Sequence, residues 1–245
     1  MSILIKNISE IYTGEELIKD GWIAIEGNQI TALGKGSPGL AEQNYTHVLD
    51  ARDKIALPGL VNLHTHAAMT LLRGYADDLP LQEWLEEKIW PQEAKLAGED
   101  IYWGTKLAIL EMISTGTTTF MDMYFQMDQV ARAVEESGIR AVFSEGLIEA
   151  NDGEEGLRKS LEFCKNWQGK ADGRIRTMLG PHAPYTCSRE YLIKTGELAS
   201  ANNLFLHIHI AETRKEYEDF LNNYDATPVQ YLNSFGFFQN RVLAA

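Results

Sequence analysis

Residues 55–67 read IALPGLVNLHTHA, and the rest of the chain is understood from this run outward. The apolar stretch LPGLVNL, entered through Pro58-Gly59, predicts a buried strand. His64 and His66 stand two apart at its end. Alternation along a strand puts both imidazoles on one face, close enough to hold one ion. Neutral imidazole suits zinc and other borderline transition metals. The competing reading is two polar residues facing solvent on an edge strand. Burying two imidazoles without partners is costly, so a buried strand favours the metal.

Upstream, residues 1–56 read as short strands with turns: ILIKNI, GWIAIEGNQITALG and HVLDARDKIA. Their β-branched residues recur near period two, and Gly21, Gly27-Asn28 and the stretch from Gly34 to Gly39 supply turns. A small antiparallel β unit is expected, part of a β-sandwich too small to bury a core alone. Downstream, from residue 57, strands alternate with helices. Helices are expected at Leu81–Glu93, Asp100–Thr115, Asp128–Gly138, Glu154–Trp167, Arg189–Asn202, Glu216–Asn223 and Pro228–Phe235. Strands are expected in TGTTTFMDMYF, IRAVFSEGLI, RIRTMLGPHAPY, NLFLHIHIAE and RVLAA. Trp103, Leu107, Leu110 and Met112 form a loose helical stripe, and Trp84, Trp90 and Trp103 read as core aromatics.

Such alternation implies parallel strands with crossover helices. The open doubly wound sheet and the eight-stranded β/α (TIM-type) barrel compete. No glycine-rich phosphate loop follows the first strand, against the dinucleotide-binding version. Polar residues cluster where strands end: His64, His66, Asp122, Glu145, His182, His209 and Glu212. Barrel enzymes place their chemistry there. Five strands and the start of a sixth are legible, fewer than a closed barrel needs. The expectation is an incomplete barrel, its remainder lying in further sequence or another chain.

The 245 residues carry 22 Lys plus Arg against 35 Asp plus Glu, a net charge of −13. That excludes general binding to a phosphate backbone. No apolar run approaches the roughly 20 residues that span a bilayer. The start, MSILIKNISE, lacks the pattern of a signal peptide. Cys164 and Cys187 form no C-x-x-C pair, so neither a disulfide framework nor a thiolate site is expected. A cytoplasmic location follows as the expectation.

A second H-x-H, His207 and His209, lies in HIHIAE. His209 is nearer the strand's end and the better ligand; His207, one layer lower, reads as a hydrogen-bonded core histidine. Glu212 leaves the same strand three residues on. A carboxylate there can serve a metal-activated water as general acid/base, or be a surface residue. His182, between prolines in GPHAPYTCS, either orients substrate, adds a ligand or is an ordinary turn histidine. Cys187 has no base beside it in sequence and is not a convincing nucleophile.

Four separated motifs, PGLVNLHTHAAMTLLRGYADDLPLQEWLEEKIWPQE, TTTFMDMYF, GPHAPYTCS and HIHIAET, together resemble the amidohydrolase superfamily. Within it they look like the branch of 5-methylthioadenosine/S-adenosylhomocysteine deaminases and chlorohydrolase-like enzymes. The resemblance implies a metal-bearing barrel with a small β-sandwich built from both chain ends. It implies one divalent ion, zinc by preference, on His64, His66 and His209. Glu212 would be the proton shuttle; Glu93, His182 and Trp84 would contact substrate, with Glu93 on ribose hydroxyls. The later histidine and aspartate of the family are not in this sequence. Some members carry an arginine after the third strand where this chain has Glu145. The implied activity is hydrolytic deamination of an adenine-type nucleoside by a homo-oligomer, with neither nucleic acid nor membrane as partner. Hydrolysis of a guanine-like base or a chloro-triazine is the alternative, and a non-catalytic scaffold the second.

Overall fold

The computed structural model describes residues 1–39 and 41–245, which divide into two compact units, Met1–Gly59 and Leu60–Ala245. The run at 55–67 divides with them. Ile55–Ala56 pairs in the first unit's sheet, and Leu60–Thr65 opens the second's. Pro58 and Gly59 make the break, one lacking an N–H and the other any side chain to pack.

The first unit holds β1 (Ser2–Tyr12), β2 (Leu17–Glu26), β3 (Gln29–Lys35), β4 (His47–Asp50) and β5 (Ile55–Ala56). The sheet order is β3-β2-β1-β4, with β5 also on β1. β1 to β3 are antiparallel as expected, but β4 and β5 run parallel to β1, so the sheet is mixed. HVLDARDKIA is two strands because Asp53 turns the chain at φ 61°. Ile8, Ile11, Ile23 and Ala51 make a small core, as period-two strands of this length allow.

The second unit is built on β6 (Leu60–Thr65), β7 (Thr117–Tyr124), β8 (Arg140–Leu147), β9 (Ile175–Pro181), β10 (Phe205–Ile208) and β11 (Val242–Ala244). All neighbours are parallel, and spatial order follows chain order from β6 to β11. A doubly wound sheet would reverse direction at a switch point; sequential order belongs to a barrel. The architecture is α/β, an incomplete barrel of six strands.

Crossovers are made by α1 (Gly98–Ser114), α2 (Met127–Ser137), α3 (Glu149–Trp167), α4 (Arg189–Ala201), and the pair α5 (Arg214–Tyr224) and α6 (Pro228–Ser234). Local chemistry fixes their ends. Ser188, Thr213 and Thr227 cap α4, α5 and α6 by accepting backbone N–H groups. Gly138 ends α2 in the left-handed conformation, φ 83°. α3 starts earlier than its periodicity suggests, bending at Gly153. Residues Leu81–Glu93 are helical with a π turn at Trp84–Ile89. Phe120, Phe143, Leu179 and Leu206 from the sheet meet Ile101, Val130, Leu157 and Leu192 from the helices in one core.

Two sequence expectations are not met within this span. β6 lies at the open edge of the incomplete barrel, pairing only with β7 among the described residues, and Leu60 to Leu63 are exposed there. Of the stripe on α1, only Met112 packs against the core. Trp103 is 57% exposed and Leu110 63%, with Leu107 and Trp90 also exposed. The buried face of α1 is Ile101, Tyr102, Thr105, Ala108 and Ile109, whose small and polar members weaken its apolar signal. Among the described residues no helix is long and apolar enough to cross a membrane. Both cysteines are free and buried, and burial raises each thiol's pKa.

Candidate functional site

His64 and His66 leave the C-terminal end of β6, and His209 follows the end of β10. One nitrogen from each lies within 4.8 Å of the others. Backbone carbonyls settle two tautomers. His66 Nδ1 is 2.6 Å from Met123 O, and His209 Nδ1 is 2.9 Å from His182 O. A carbonyl only accepts, so both Nδ1 atoms carry the proton and both Nε2 atoms are bare. His64 Nε2 is 3.2 Å from His209 Nε2. Two nitrogens bound to one zinc at tetrahedral angles stand about 3.3 Å apart. The residues fit a metal ion: bare nitrogens converge, and their other nitrogens are anchored as ligand histidines require.

The anchors extend further. Asp122, buried on β7, accepts through Oδ1 from Thr65 Oγ1 and Ala67 N, both at 2.7 Å. It therefore clamps the backbone on either side of His66. Its Oδ2 has no partner among the described residues, and burial raises its pKa despite these hydrogen bonds. His182 carbonyl oxygen accepts both the backbone N–H and the ring N–H of His209. Burial holds His64 down to about 4, with His66 and His209 adding repulsion. Burial lowers His209 as well, which favours the neutral form of both rings, the form able to ligate a metal.

The other expected residues fall into place unevenly. His182 comes to the cluster: its ring centroid is 5.0 Å from that of His209, and its Nδ1 lies 3.0 Å from Thr186 Oγ1. Burial lowers its pKa to about 3. Glu93 is reached through Tyr124, whose hydroxyl donates to it. Burial raises Glu93, while Tyr124 and the nearby His66 oppose the rise. Glu212 is open to solvent, and partial burial of its carboxyl raises it against the pull of His66. Trp84 lines a cavity of about 360 Å³ with Ala76, Asp77, Asp78, Leu79 and Leu81. No hydrogen bond or ring contact joins Trp84 to the histidines among the described residues. Glu145 faces other company: burial, then Asp128 and Asp152, raise its pKa, and Lys159 lowers it.

Three residues escaped the sequence. Tyr124 lies beside His66, ring centroids 6.2 Å apart, and holds Glu93. Its signal was an aromatic in phase with Phe120 and Asp122 on one strand. Glu216, buried at the first turn of α5, accepts from Ala211 N at 3.1 Å and Glu212 N at 2.9 Å. It holds the strand exit where Ala211 sits at φ 56°, a conformation costly for a residue with a Cβ. The Thr-x-x-Glu spacing of Thr213 and Glu216 was its signal. Ser144 gave none beyond being polar in an apolar strand.

An incomplete barrel of sequential parallel strands with a histidine cluster at their C-terminal ends defines a class, the metal-site β/α-barrel proteins. The sequence profile of the amidohydrolase family matches residues 55–245. The chain belongs to the amidohydrolase family. It is 56% identical to the 5-methylthioadenosine/S-adenosylhomocysteine deaminase of Halothermothrix orenii, with 100% of this chain and 58% of that protein covered. It is 51% identical to the 5'-deoxyadenosine deaminase of Methanosarcina acetivorans, covering 93% of this chain and 52% of the relative. The chain thus spans little more than half the length of these curated relatives. Among solved structures, an adenosine deaminase from Xanthomonas campestris with bound zinc superposes with a TM-score of 0.82 at 31% identity, covering 99% of this chain and 56% of that one. A guanine deaminase from C. acetobutylicum, with a TM-score of 0.83 at 21% identity and covering 100% of this chain and 62% of that one, shares the fold.

Proposed function

We propose that the chain carries the larger part of a hydrolytic deaminase for adenine-type nucleosides such as 5-methylthioadenosine, S-adenosylhomocysteine or adenosine. The observation that carries this reading is the convergence of His64, His66 and His209 nitrogens, two of them left bare because backbone carbonyls hold the ring proton on Nδ1. His64, His66 and His209 would hold one divalent ion, zinc by preference. Such an ion lowers the pKa of a coordinated water toward about 7. Relatives at 51–56% identity named as deaminases of adenine-containing nucleosides support the substrate class.

In this reading Glu212 takes the proton of the attacking water and delivers it to the ring nitrogen beside the carbon that bears the amine. Its raised pKa suits both halves of that transfer. Glu216 keeps the backbone of Glu212 in place through the hydrogen bond at 2.9 Å. Glu93, held by the Tyr124 hydroxyl, would bind ribose hydroxyls, and His182 would contact the substrate through its Nε2, its Nδ1 being engaged by Thr186. Trp84 would line the pocket for the remote end of the substrate. Ammonia is the product that leaves.

The test compares the protein as its cell makes it with its Glu212→Gln variant. Zinc content is measured after purification without chelator, and ammonia release is followed on 5-methylthioadenosine, adenosine and guanine. The expected result is unchanged zinc and turnover lower by a factor on the order of 100 or more. A variant with near-normal turnover refutes the role of Glu212. A protein that takes up no transition metal refutes the hydrolase.

A further inference from the structure

His207 does more than fill the core below the metal ligands. It is 0% exposed, as is Ser144. Its Nε2 lies 2.8 Å from His64 Nδ1, and its Nδ1 lies 3.0 Å from Ser144 Oγ. Ser144 Oγ in turn lies 3.4 Å from the carbonyl oxygen of Asp122. The chain of groups therefore begins at the one ligand whose tautomer no carbonyl settles. Each nitrogen of the buried His207 ring faces one hydrogen-bonding partner, and a neutral imidazole carries a single ring proton. One proton on each ring leaves only two consistent directions for the chain.

In the first direction His64 Nδ1–H donates to His207 Nε2, His207 Nδ1–H donates to Ser144 Oγ, and the Ser144 hydroxyl donates to Asp122 O. His64 Nε2 is then bare. In the second direction the Ser144 hydroxyl donates to His207 Nδ1, and His207 Nε2–H donates to His64 Nδ1. His64 Nε2–H then donates to His209 Nε2 across 3.2 Å. Both directions hold the same number of protons. The first leaves two lone pairs facing each other unless a cation lies among them. The second pairs every ring nitrogen of His64, His207 and His209 but blocks His64 as a ligand.

We propose that His207 and Ser144 are positioning residues forming a tautomer relay, which runs from His64 towards Asp122 when a divalent cation is bound and in reverse when none is. The relay rests on the metal-site reading above. It makes zinc affinity depend on residues that never touch the ion, because only one direction frees His64 Nε2. Outer partners of metal-bound histidines act in this way.

The test uses the 245-residue chain, with zinc alone as the probe. Ring-¹⁵N NMR of labelled histidine reads the His207 tautomer in the metal-free and the zinc-loaded chain. The expected result is a proton on Nε2 without zinc and on Nδ1 with it; the same tautomer in both states overturns the relay. Zinc affinity is then measured by competition with a chromophoric chelator. His207→Phe should weaken zinc on the order of 10- to 100-fold, and His207→Gln, whose amide can still accept from His64 Nδ1, should recover most of that. Ser144→Ala, a smaller perturbation of packing, should weaken it in the same direction. Equal zinc affinity in His207→Phe or, should that variant not fold, in Ser144→Ala overturns the relay while leaving the metal site standing. A parent chain that takes up no zinc overturns both.

Discussion

Gly104, in the middle of α1, is where helix propensity and packing pull in opposite directions. In an exposed helix interior, Gly→Ala stabilises by about 1 kcal/mol. Here an added Cβ would sit 2.5 Å from Ala68 O and 3.0 Å from Leu71 Cγ. Carbon–oxygen contacts rarely fall below about 3.3 Å, so the carbonyl must retreat by about 0.8 Å. The Thr70 hydroxyl also donates to Gly104 O at 2.7 Å, tying the 3-10 turn Ala67–Leu72 to the helix. Overpacking a dense site costs about 1–3 kcal/mol, and a backbone obstacle belongs in the upper part of that range. Packing outweighs propensity, and Gly104→Ala should lose about 1–2 kcal/mol net. For a chain of this size that lowers Tm by about 2–8 °C. The turn begins at Ala67, whose N–H is held by Asp122 beside His66, so zinc affinity should fall with stability. Thermal unfolding by circular dichroism, with and without zinc, measures both. A Tm above the parent's would show that the turn yields freely and that the close approach of helix and turn is not required.

Other outcomes follow from the same structure. Trp103→Glu with Leu110→Glu should change the unfolding free energy of this chain by less than about 0.5 kcal/mol per site, because both side chains are exposed; urea unfolding reads it, and a loss of core size refutes the exposure of that face. Glu145→Gln should raise Tm at pH 8. The folded protein raises the Glu145 pKa, so its ionised form costs stability above that pKa and the cost vanishes as pH falls below the unfolded value; the gain should therefore shrink towards pH 4, and a gain independent of pH refutes the assignment. Adding a strong chelator to zinc-loaded chain should lower Tm, since an ion bound only by the folded state contributes about 2.7 kcal/mol at a hundredfold excess over Kd; in His66→Ala the same addition should change nothing.

The sequence by itself determined the order of the elements, the six barrel strands and the pairing of His64 with His66. Those features are local: periodicity, caps and a two-residue spacing within one strand. It also separated His209 from His207, because strand position orders the two along one face. What the sequence misjudged depends on which neighbours each element meets. The apolar residues of β6 read as buried, and within this span they are exposed because β6 lies at the open edge of an incomplete barrel. Trp103 and Leu110 read as core because they are large and apolar, while α1 buries Thr105 and Ala108 instead. Only the tertiary structure decided the tautomers of His66 and His209. The carbonyls that fix them belong to Met123 and His182, distant in sequence and brought close by strand register. The same register places Ser144 and His207, 63 residues apart, within hydrogen-bonding reach behind His64. Spacing can nominate a ligand; the direction of its hydrogen bonds is settled by partners that only a folded sheet assembles.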